Sequence, residues 1–173
     1  MALRTPDEYR ASLRDGRRLF YKGAAVADIT AVPELRVAVD HAAIDYEVAE
    51  DPAHRELAVW KDPADGEEYS AYYKVPRTAQ DLLDRSRLIE TCTTLGGTMV
   101  TLIKEIGSDG LFALQRVLEG EALERAVAYW EHCRAGDLAV AVAQTDVKGD
   151  RSKAPHAQPD PDLYVRVVST SDD

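Results

Sequence analysis

The fold class is decided by one stretch of the sequence, Pro33-Glu-Leu-Arg-Val-Ala-Val-Asp-His-Ala-Ala-Ile-Asp-Tyr-Glu-Val-Ala-Glu50. Its apolar residues recur at alternating spacings of four and three, at Leu35, Val39, Ala42, Tyr46 and Ala49. That spacing places them on one face of a helix, as in helices that pack on a hydrophobic core. Proline fits the first turn of a helix because it has no N–H to satisfy there. The stretch therefore predicts a core-facing helix that begins at Pro33.

Helix-start and helix-stop signals surround this stretch. Thr5 and Glu8 form a capping box, and Thr78 caps a later helix that Gly96 and Gly97 break or kink. Gly136 is a natural C-cap. The sequence predicts further helices over 5–15, 78–95, 98–106, 111–117 and 121–134, with an interruption at 107–110.

Two β-hairpins complete the first 137 residues. The first has Lys22-Gly23 as its turn, and the second turns at Asp62-Pro-Ala-Asp-Gly66 between β-type runs over 58–61 and 69–75. The fold class expected is mainly α, with two short β-hairpins.

The character of the chain changes after residue 137. A small apolar run over 138–143 precedes the polar loop 144–151, and Leu163-Tyr-Val-Arg-Val-Val168 alternates as a strand does. We therefore expect a helical domain over 1–137 and a β-domain segment over 138–173. The last strand needs a pairing partner, because its backbone donors and acceptors cannot stay unpaired. One of the hairpins could pair with it, but we favour a partner β-domain that another chain completes.

Composition limits the possible partners. The chain has 173 residues, 45% of them hydrophobic, and 31 acidic against 21 basic residues give a net charge of −10. That charge argues against nucleic acid and anionic membranes, which bind through basic patches. The apolar patch over 95–103 is too short to span a membrane. With two cysteines and no apolar leader, we expect a cytoplasmic protein.

Three stretches taken in order resemble one family: Arg4–Asp15 with Tyr21-Lys-Gly and Val26–Thr30, then Thr145-Asp-Val-Lys-Gly-Asp-Arg151, then Gln158–Val168. They are similar to the N-terminal part of the 4-hydroxyphenylacetate 3-monooxygenase (oxygenase component) and 4-hydroxybutyryl-CoA dehydratase family. The resemblance covers nearly the whole chain but only about a third of a full-length member. It implies the helical N-terminal domain of an acyl-CoA-dehydrogenase-like flavoenzyme, followed by a β-domain and a C-terminal helical domain, with FAD held between them.

The loop is the segment that the resemblance assigns to the cofactor. Lys148 and Arg151 carry fixed positive charge, and Gly149 lets a ligand approach the backbone closely. A solvated loop in which opposite charges neutralise each other remains the alternative on chemistry alone. The resemblance implies contact with FAD, in its reduced form, through Gln144, Thr145, Asp146, Lys148, Gly149 and Arg151.

The resemblance implies that residues for binding the substrate or an iron–sulfur cluster lie in the segment before residue 111. Thr101 and Glu105 stand where the dehydratase branch has two cluster cysteines, so we expect no iron–sulfur cluster. Thr101 and Asp109 are candidate substrate-binding residues, although the arginine and tyrosine beside that aspartate in the oxygenase branch are missing. Val142 replaces that branch's histidine. Glu105 is a candidate general acid or base if it is buried, and otherwise points to water.

The four histidines are scattered without a metal-binding spacing, so the sequence predicts no metal site. The resemblance implies the small subunit of a split FAD-dependent oxidoreductase, namely a monooxygenase that uses reduced flavin. Its partners would be a larger subunit with the two missing domains and a flavin reductase. Two alternatives stay open: a subunit of an acyl-CoA dehydratase or isomerase without the cluster, and a non-catalytic structural partner.

Overall fold

The long helix predicted from Pro33 lies at the centre of the fold. In a computed structural model, which describes residues 3–98, 103–142, 150, 152–154 and 157–158, this helix spans Pro33–Glu50. Four positions of the apolar stripe, Val39, Ala42, Tyr46 and Ala49, are buried, and Leu35 is half-buried. The predicted core-facing helix is confirmed.

The elements follow one another in a simple order. They are α1 (Pro6–Ser12), β1 (Leu19–Tyr21), β2 (Ala24–Val26), α2 (Pro33–Glu50), α3 (Arg55–Ala58), β3 (Val59–Lys61), β4 (Glu68–Ser70), α4 (Ala79–Leu95), α5 (Glu105–Val117) and α6 (Gly120–Ala135), with 3-10 turns at Ile29–Ala31 and Ala71–Tyr73. β1 pairs with β2 and β3 with β4, both antiparallel, in two separate two-stranded sheets. The mainly helical class with two short hairpins is confirmed.

Local sequence signals explain where the helices begin. Thr5 and Glu8 exchange side-chain-to-backbone hydrogen bonds around the start of α1, and Thr78 and Asp81 do so around the start of α4. Both capping boxes satisfy backbone N–H groups that the first helical turn leaves without partners. Gly96 caps the end of α4, as predicted.

The core consists of three clusters of buried side chains. Tyr9 stacks on Tyr46 with ring centroids 4.6 Å apart, which joins α1 to α2. A second cluster joins α2, α3 and α4 through Val48, Ala49, Ala58, Tyr72, Leu88 and Cys92. A third joins α5 and α6 through Tyr73, Leu111 and Cys133.

Some boundaries differ from the sequence prediction. The expected interruption at Gly107–Gly110 is wrong, because these residues lie inside α5, where Gly107 and Ser108 are buried against neighbouring segments. The second strand of hairpin two ends at Ser70, since the next residues form a 3-10 turn that buries Tyr72 and Tyr73. α1 ends at Ser12 rather than near Asp15.

The chain divides into two compact units, 1–141 and 142–173. The boundary lies close to the domain division expected after residue 137, which stays a prediction. The strand predicted over Leu163–Val168 lies outside the described residues. Among the described helices, none is long and apolar enough to cross a membrane.

Candidate functional site

The first turn of α5 is held by a charged side chain that solvent does not reach. Lys104, the residue just before α5, has a side chain only 1% exposed. Its Nζ lies 2.7 Å from Oδ1 of Asp137, donates to the backbone oxygen of Asp45 at 3.4 Å, and sits 3.6 Å from the ring centroid of Tyr46. Three segments distant in sequence therefore meet at one ammonium group.

Asp137 joins this ion pair to two other parts of the chain. Its Oδ2 accepts a hydrogen bond from the Arg4 N–H at 3.1 Å, and its backbone oxygen accepts one from the Tyr46 hydroxyl at 3.3 Å. Asp137 has a φ of 45°, a left-handed conformation that aspartate tolerates better than most residues. The chain thus turns sharply at the end of α6 to present this carboxylate to Lys104.

Asp45 completes the buried charge cluster. Its Oδ2 accepts the backbone N–H of Lys104 at 3.0 Å, while its Oδ1 is buried and has no hydrogen-bond partner. Burial raises the pKa of Asp45, and the nearby charge of Lys104 opposes the rise. Burial also lowers the pKa of Lys104, and the charge of Asp137 opposes that shift. Asp45 thus shares the ammonium group with Asp137, in a place where burial favours the neutral form of Asp45.

The residues that follow Asp137 lie directly on α5. Gly107 faces Val140 so closely that a Cβ on Gly107 would lie 2.1 Å from the Val140 backbone oxygen. The Tyr73 hydroxyl donates a hydrogen bond to the backbone oxygen of Leu138. The segment 137–140 is therefore held on α5 by the Asp137 side chain, by the Tyr73 hydroxyl and by the close approach that Gly107 allows.

Arg85 is a second cation that holds the first turn of α5 in place. Arg85 of α4, 8% exposed at its side chain, donates from Nη2 to the Glu105 backbone oxygen at 3.1 Å and to Ser108 Oγ at 2.8 Å. The same nitrogen lies 2.8 Å from Oδ1 of Asp109. Phe112 places its ring centroid 5.3 Å from the guanidinium. Arg85 therefore holds the helix through its backbone, a hydroxyl and a carboxylate.

The predicted site residues fall into three groups. Glu105 is half-buried, and its Oε2 is out of contact with solvent and has no hydrogen-bond partner. Asp109 is about half-exposed at its side chain and pairs with Arg85. The remaining predicted residues, namely Thr101, Gln144, Thr145, Asp146, Lys148, Gly149 and Arg151, lie outside the described residues.

Val142, which the resemblance matched with a histidine of the oxygenase branch, is partly exposed. Beyond it, the described residues include Asp150 and Gln158, joined by a pair of hydrogen bonds. The Gln158 amide accepts from the Asp150 N–H at 2.9 Å and donates to the Asp150 backbone oxygen at 2.6 Å. In the part of the chain that the structure describes, no cluster of His, Cys, Asp or Glu could hold a metal ion.

Sequence reasoning missed four residues of the site, namely Lys104, Asp137, Asp45 and Arg85. Lys104 directly follows the apolar residues Leu102 and Ile103, and a charge at the end of an apolar run is the signal that could have pointed to a buried ion pair. Arg85 carries no such signal, because the predicted helix around it is rich in exposed charges.

Comparison with known proteins finds similar sequences over nearly the whole chain. A family model described as the N terminal of 4-hydroxyphenylacetate 3-hydroxylase matches residues 5–173. The 4-hydroxybutyryl-CoA dehydratase/vinylacetyl-CoA-Delta-isomerase of Clostridium aminobutyricum is 26% identical over 99% of this chain and 36% of its own length. The 4-hydroxyphenylacetate 3-monooxygenase oxygenase component of Thermus thermophilus is 28% identical over 98% of this chain and 35% of its own.

A solved structure shows the same similarity in three dimensions. The oxygenase component of 4-hydroxyphenylacetate 3-monooxygenase, complexed with FAD and 4-hydroxyphenylacetate, superposes with a TM-score of 0.82 at 28% identity. The superposition covers 98% of this chain and 36% of that one. The chain thus spans about a third of the length of the relatives that it matches.

Gly107→Ala tests the close contact with Val140. Alanine normally stabilises a helix interior by about 1 kcal/mol relative to glycine. Here we expect a loss of roughly 1–3 kcal/mol in the free energy of unfolding, because the new Cβ must displace the Val140 backbone. Urea unfolding measures the change. Ala113→Gly, at an exposed position of the same helix, is the control and should cost about 1 kcal/mol. A more stable Gly107→Ala chain would contradict the contact.

Asp45→Asn tests the buried carboxyl group. Because burial raises the pKa of Asp45, the folded chain binds more protons than the unfolded chain above the ordinary carboxyl pKa, about 3.9. The contribution of Asp45 to the wild-type free energy of unfolding therefore falls as pH rises through that window. Relative to the wild type, the variant should become more stable as pH rises above about 4. Urea unfolding at several pH values measures this difference.

Asp7→Asn controls for the change in net charge, since the Asp7 side chain is 97% exposed. If the free energy of unfolding of Asp45→Asn instead falls relative to that of the wild type as pH rises, Asp45 is a stabilising carboxylate and this prediction is wrong.

Proposed function

The chain belongs to the 4-hydroxyphenylacetate 3-hydroxylase N-terminal family, and on that basis we propose that it supplies part of the flavin and substrate pocket of an FAD-dependent oxidoreductase. The proposed reaction is a monooxygenation that uses reduced flavin. One observation carries the proposal: the match to the solved oxygenase component with FAD and 4-hydroxyphenylacetate extends over 98% of this chain.

The donor set of the loop fits FAD by its chemistry. Lys148 and Arg151 supply positive charge for phosphates or for anionic reduced flavin, and Gln144 and Thr145 supply neutral hydrogen bonds. Gly149 would let the ligand approach the backbone, and Asp146 completes the proposed contact set. When bound, FAD supplies the redox chemistry, and the protein supplies binding, orientation and exclusion of water.

Residues at the start of α5 are proposed to serve the substrate. The Oε2 of Glu105 is a buried acceptor with no partner, so a substrate hydroxyl could donate a hydrogen bond to it and pass it a proton. Asp109 is held by Arg85, which leaves its second oxygen for a substrate group. Thr101 is proposed as a further contact. The Lys104–Asp137 pair keeps this turn in place while the substrate binds.

A companion polypeptide is part of the proposal. The chain spans about a third of the length of its relatives, so a complete flavoenzyme needs roughly two thirds more. We propose that a larger subunit supplies a middle β-domain and a C-terminal helical domain. A flavin reductase would supply the reduced cofactor.

A second candidate function rests on the dehydratase relative from Clostridium aminobutyricum, which matches 99% of this chain. In that case the complex would be an acyl-CoA dehydratase or isomerase. Glu105 and Thr101 stand where that branch has cluster cysteines, so this version would work without an iron–sulfur cluster. A non-catalytic structural subunit is the remaining alternative.

Arg151→Ala in the assembled complex tests the proposed flavin contact. Losing one charge-assisted hydrogen bond removes roughly 1.5–3 kcal/mol, so the affinity for FAD should fall about ten- to a hundredfold. Lys148→Ala should weaken FAD less, because an ammonium at the rim acts as a point charge. FAD titration by fluorescence quenching gives the affinity, and gel filtration checks that the subunits remain assembled.

The matched control is Arg18→Ala, an exposed arginine near the first hairpin. It should leave the affinity for FAD unchanged. Unchanged affinity in Arg151→Ala and Lys148→Ala as well would leave the chain a structural partner, and the flavin proposal would be wrong.

A further inference from the structure

A cavity lies away from the first turn of α5. It has a volume of about 610 Å³ and lies between the segment Val75–Arg77 and the C-terminal half of α5. Its walls are formed by Val75, Pro76, Arg77, Phe112, Ala113, Gln115 and Arg116. Neither Glu105 nor Asp109 lines it. We refer to it below as the Arg77 cavity.

Two of its lining residues are arginines without partners. The side chains of Arg77 and Arg116 make no ion pair or hydrogen bond with any residue that the structure describes. Both are exposed, whereas other arginines of this chain, such as Arg85, Arg87 and Arg134, each pair with an aspartate. Each of these guanidiniums therefore has donors left to bind an oxyanion through paired hydrogen bonds.

Gln115 adds an unsatisfied donor to the same wall. Its Nε2 is buried and has no hydrogen-bond partner. A buried amide N–H without an acceptor is costly, and native structures rarely leave one. An oxygen on a bound anion would supply the missing acceptor.

The rest of the wall is apolar. Phe112, Pro76, Val75 and Ala113 offer an aromatic ring and aliphatic groups. Phe112 is held in place, since the Arg85 guanidinium lies 5.3 Å from its ring centroid. The volume is within the roughly 300–1,000 Å³ range of small-molecule sites. A ligand with a planar apolar body would contact these groups while its charge met the arginines.

We propose that the Arg77 cavity binds a small organic anion, in which a carboxylate or phosphate group is attached to an aromatic ring. The oxyanion contacts Arg77, Arg116 and the Gln115 amide, and the ring packs against Phe112 and Pro76. Guanidinium groups recognise both kinds of oxyanion through paired hydrogen bonds. This site is independent of the proposed flavin chemistry, so its test does not require a companion subunit.

The experiment titrates the 173-residue chain with phenylacetate. Calorimetry measures the binding, and NMR of the amides of residues 112–116 locates it. We expect saturable binding, and weaker or absent saturation with acetate, which lacks the ring. Phenyl phosphate in a parallel titration distinguishes a phosphate head group from a carboxylate. Arg77→Gln/Arg116→Gln should weaken the preferred ligand about tenfold or more, as the loss of charged hydrogen bonds predicts.

Arg18→Gln/Arg125→Gln is the matched control, since it removes the same charge from exposed positions outside the cavity and should leave binding unchanged. Ala113→Glu is a second variant, which places a carboxylate beside the arginines and should abolish binding without removing either of them. The proposal is overturned if neither aromatic anion saturates, if acetate binds as tightly as phenylacetate, if the control weakens binding equally, or if binding persists in both cavity variants.

Discussion

A buried positive charge must have a partner, and in this chain that requirement falls on Lys104. Taking an ammonium group out of water costs several kcal/mol, which only close opposite charge and further hydrogen bonds can offset. Lys104 obtains them from Asp137 at 2.7 Å, from the backbone of Asp45 and from the face of Tyr46. Those groups come from α2 and from the end of α6. The burial of Lys104 therefore requires both segments to lie next to the start of α5.

The remaining geometry of the site depends on this arrangement. With Asp137 fixed, the segment 137–140 lies on α5, where Gly107 leaves room for the Val140 backbone. On the opposite side, Arg85 holds the backbone and side chains of the same turn. The backbone of Glu105 is thus held by Arg85, while one of its carboxylate oxygens is buried without a partner. A buried carboxylate oxygen without a partner is suited to receive a hydrogen bond from a ligand.

Local signals in the sequence predicted the helices well and the charge cluster poorly. The stripe through Val39 and Tyr46, and the capping residues Thr5 and Thr78, act within one element, so spacing alone reveals them. Gly107 misled the prediction, because glycine interrupts an isolated helix but here allows a neighbouring backbone to approach. The pairing of Lys104 with Asp137 spans 33 positions, and no local pattern encodes which distant carboxylate a lysine will meet.

The most direct test of this account is a double-mutant cycle on Lys104→Met and Asp137→Asn, measured by urea unfolding of the full chain. Asparagine also tolerates the left-handed backbone at position 137, so the cycle reports on the charge. Each single variant leaves a buried charge unpaired and should lose about 3–5 kcal/mol. The double variant should lose clearly less than the sum, with a coupling energy of about 2 kcal/mol or more. Additive losses, with coupling below about 0.5 kcal/mol, would contradict the claim that this pair holds the site together.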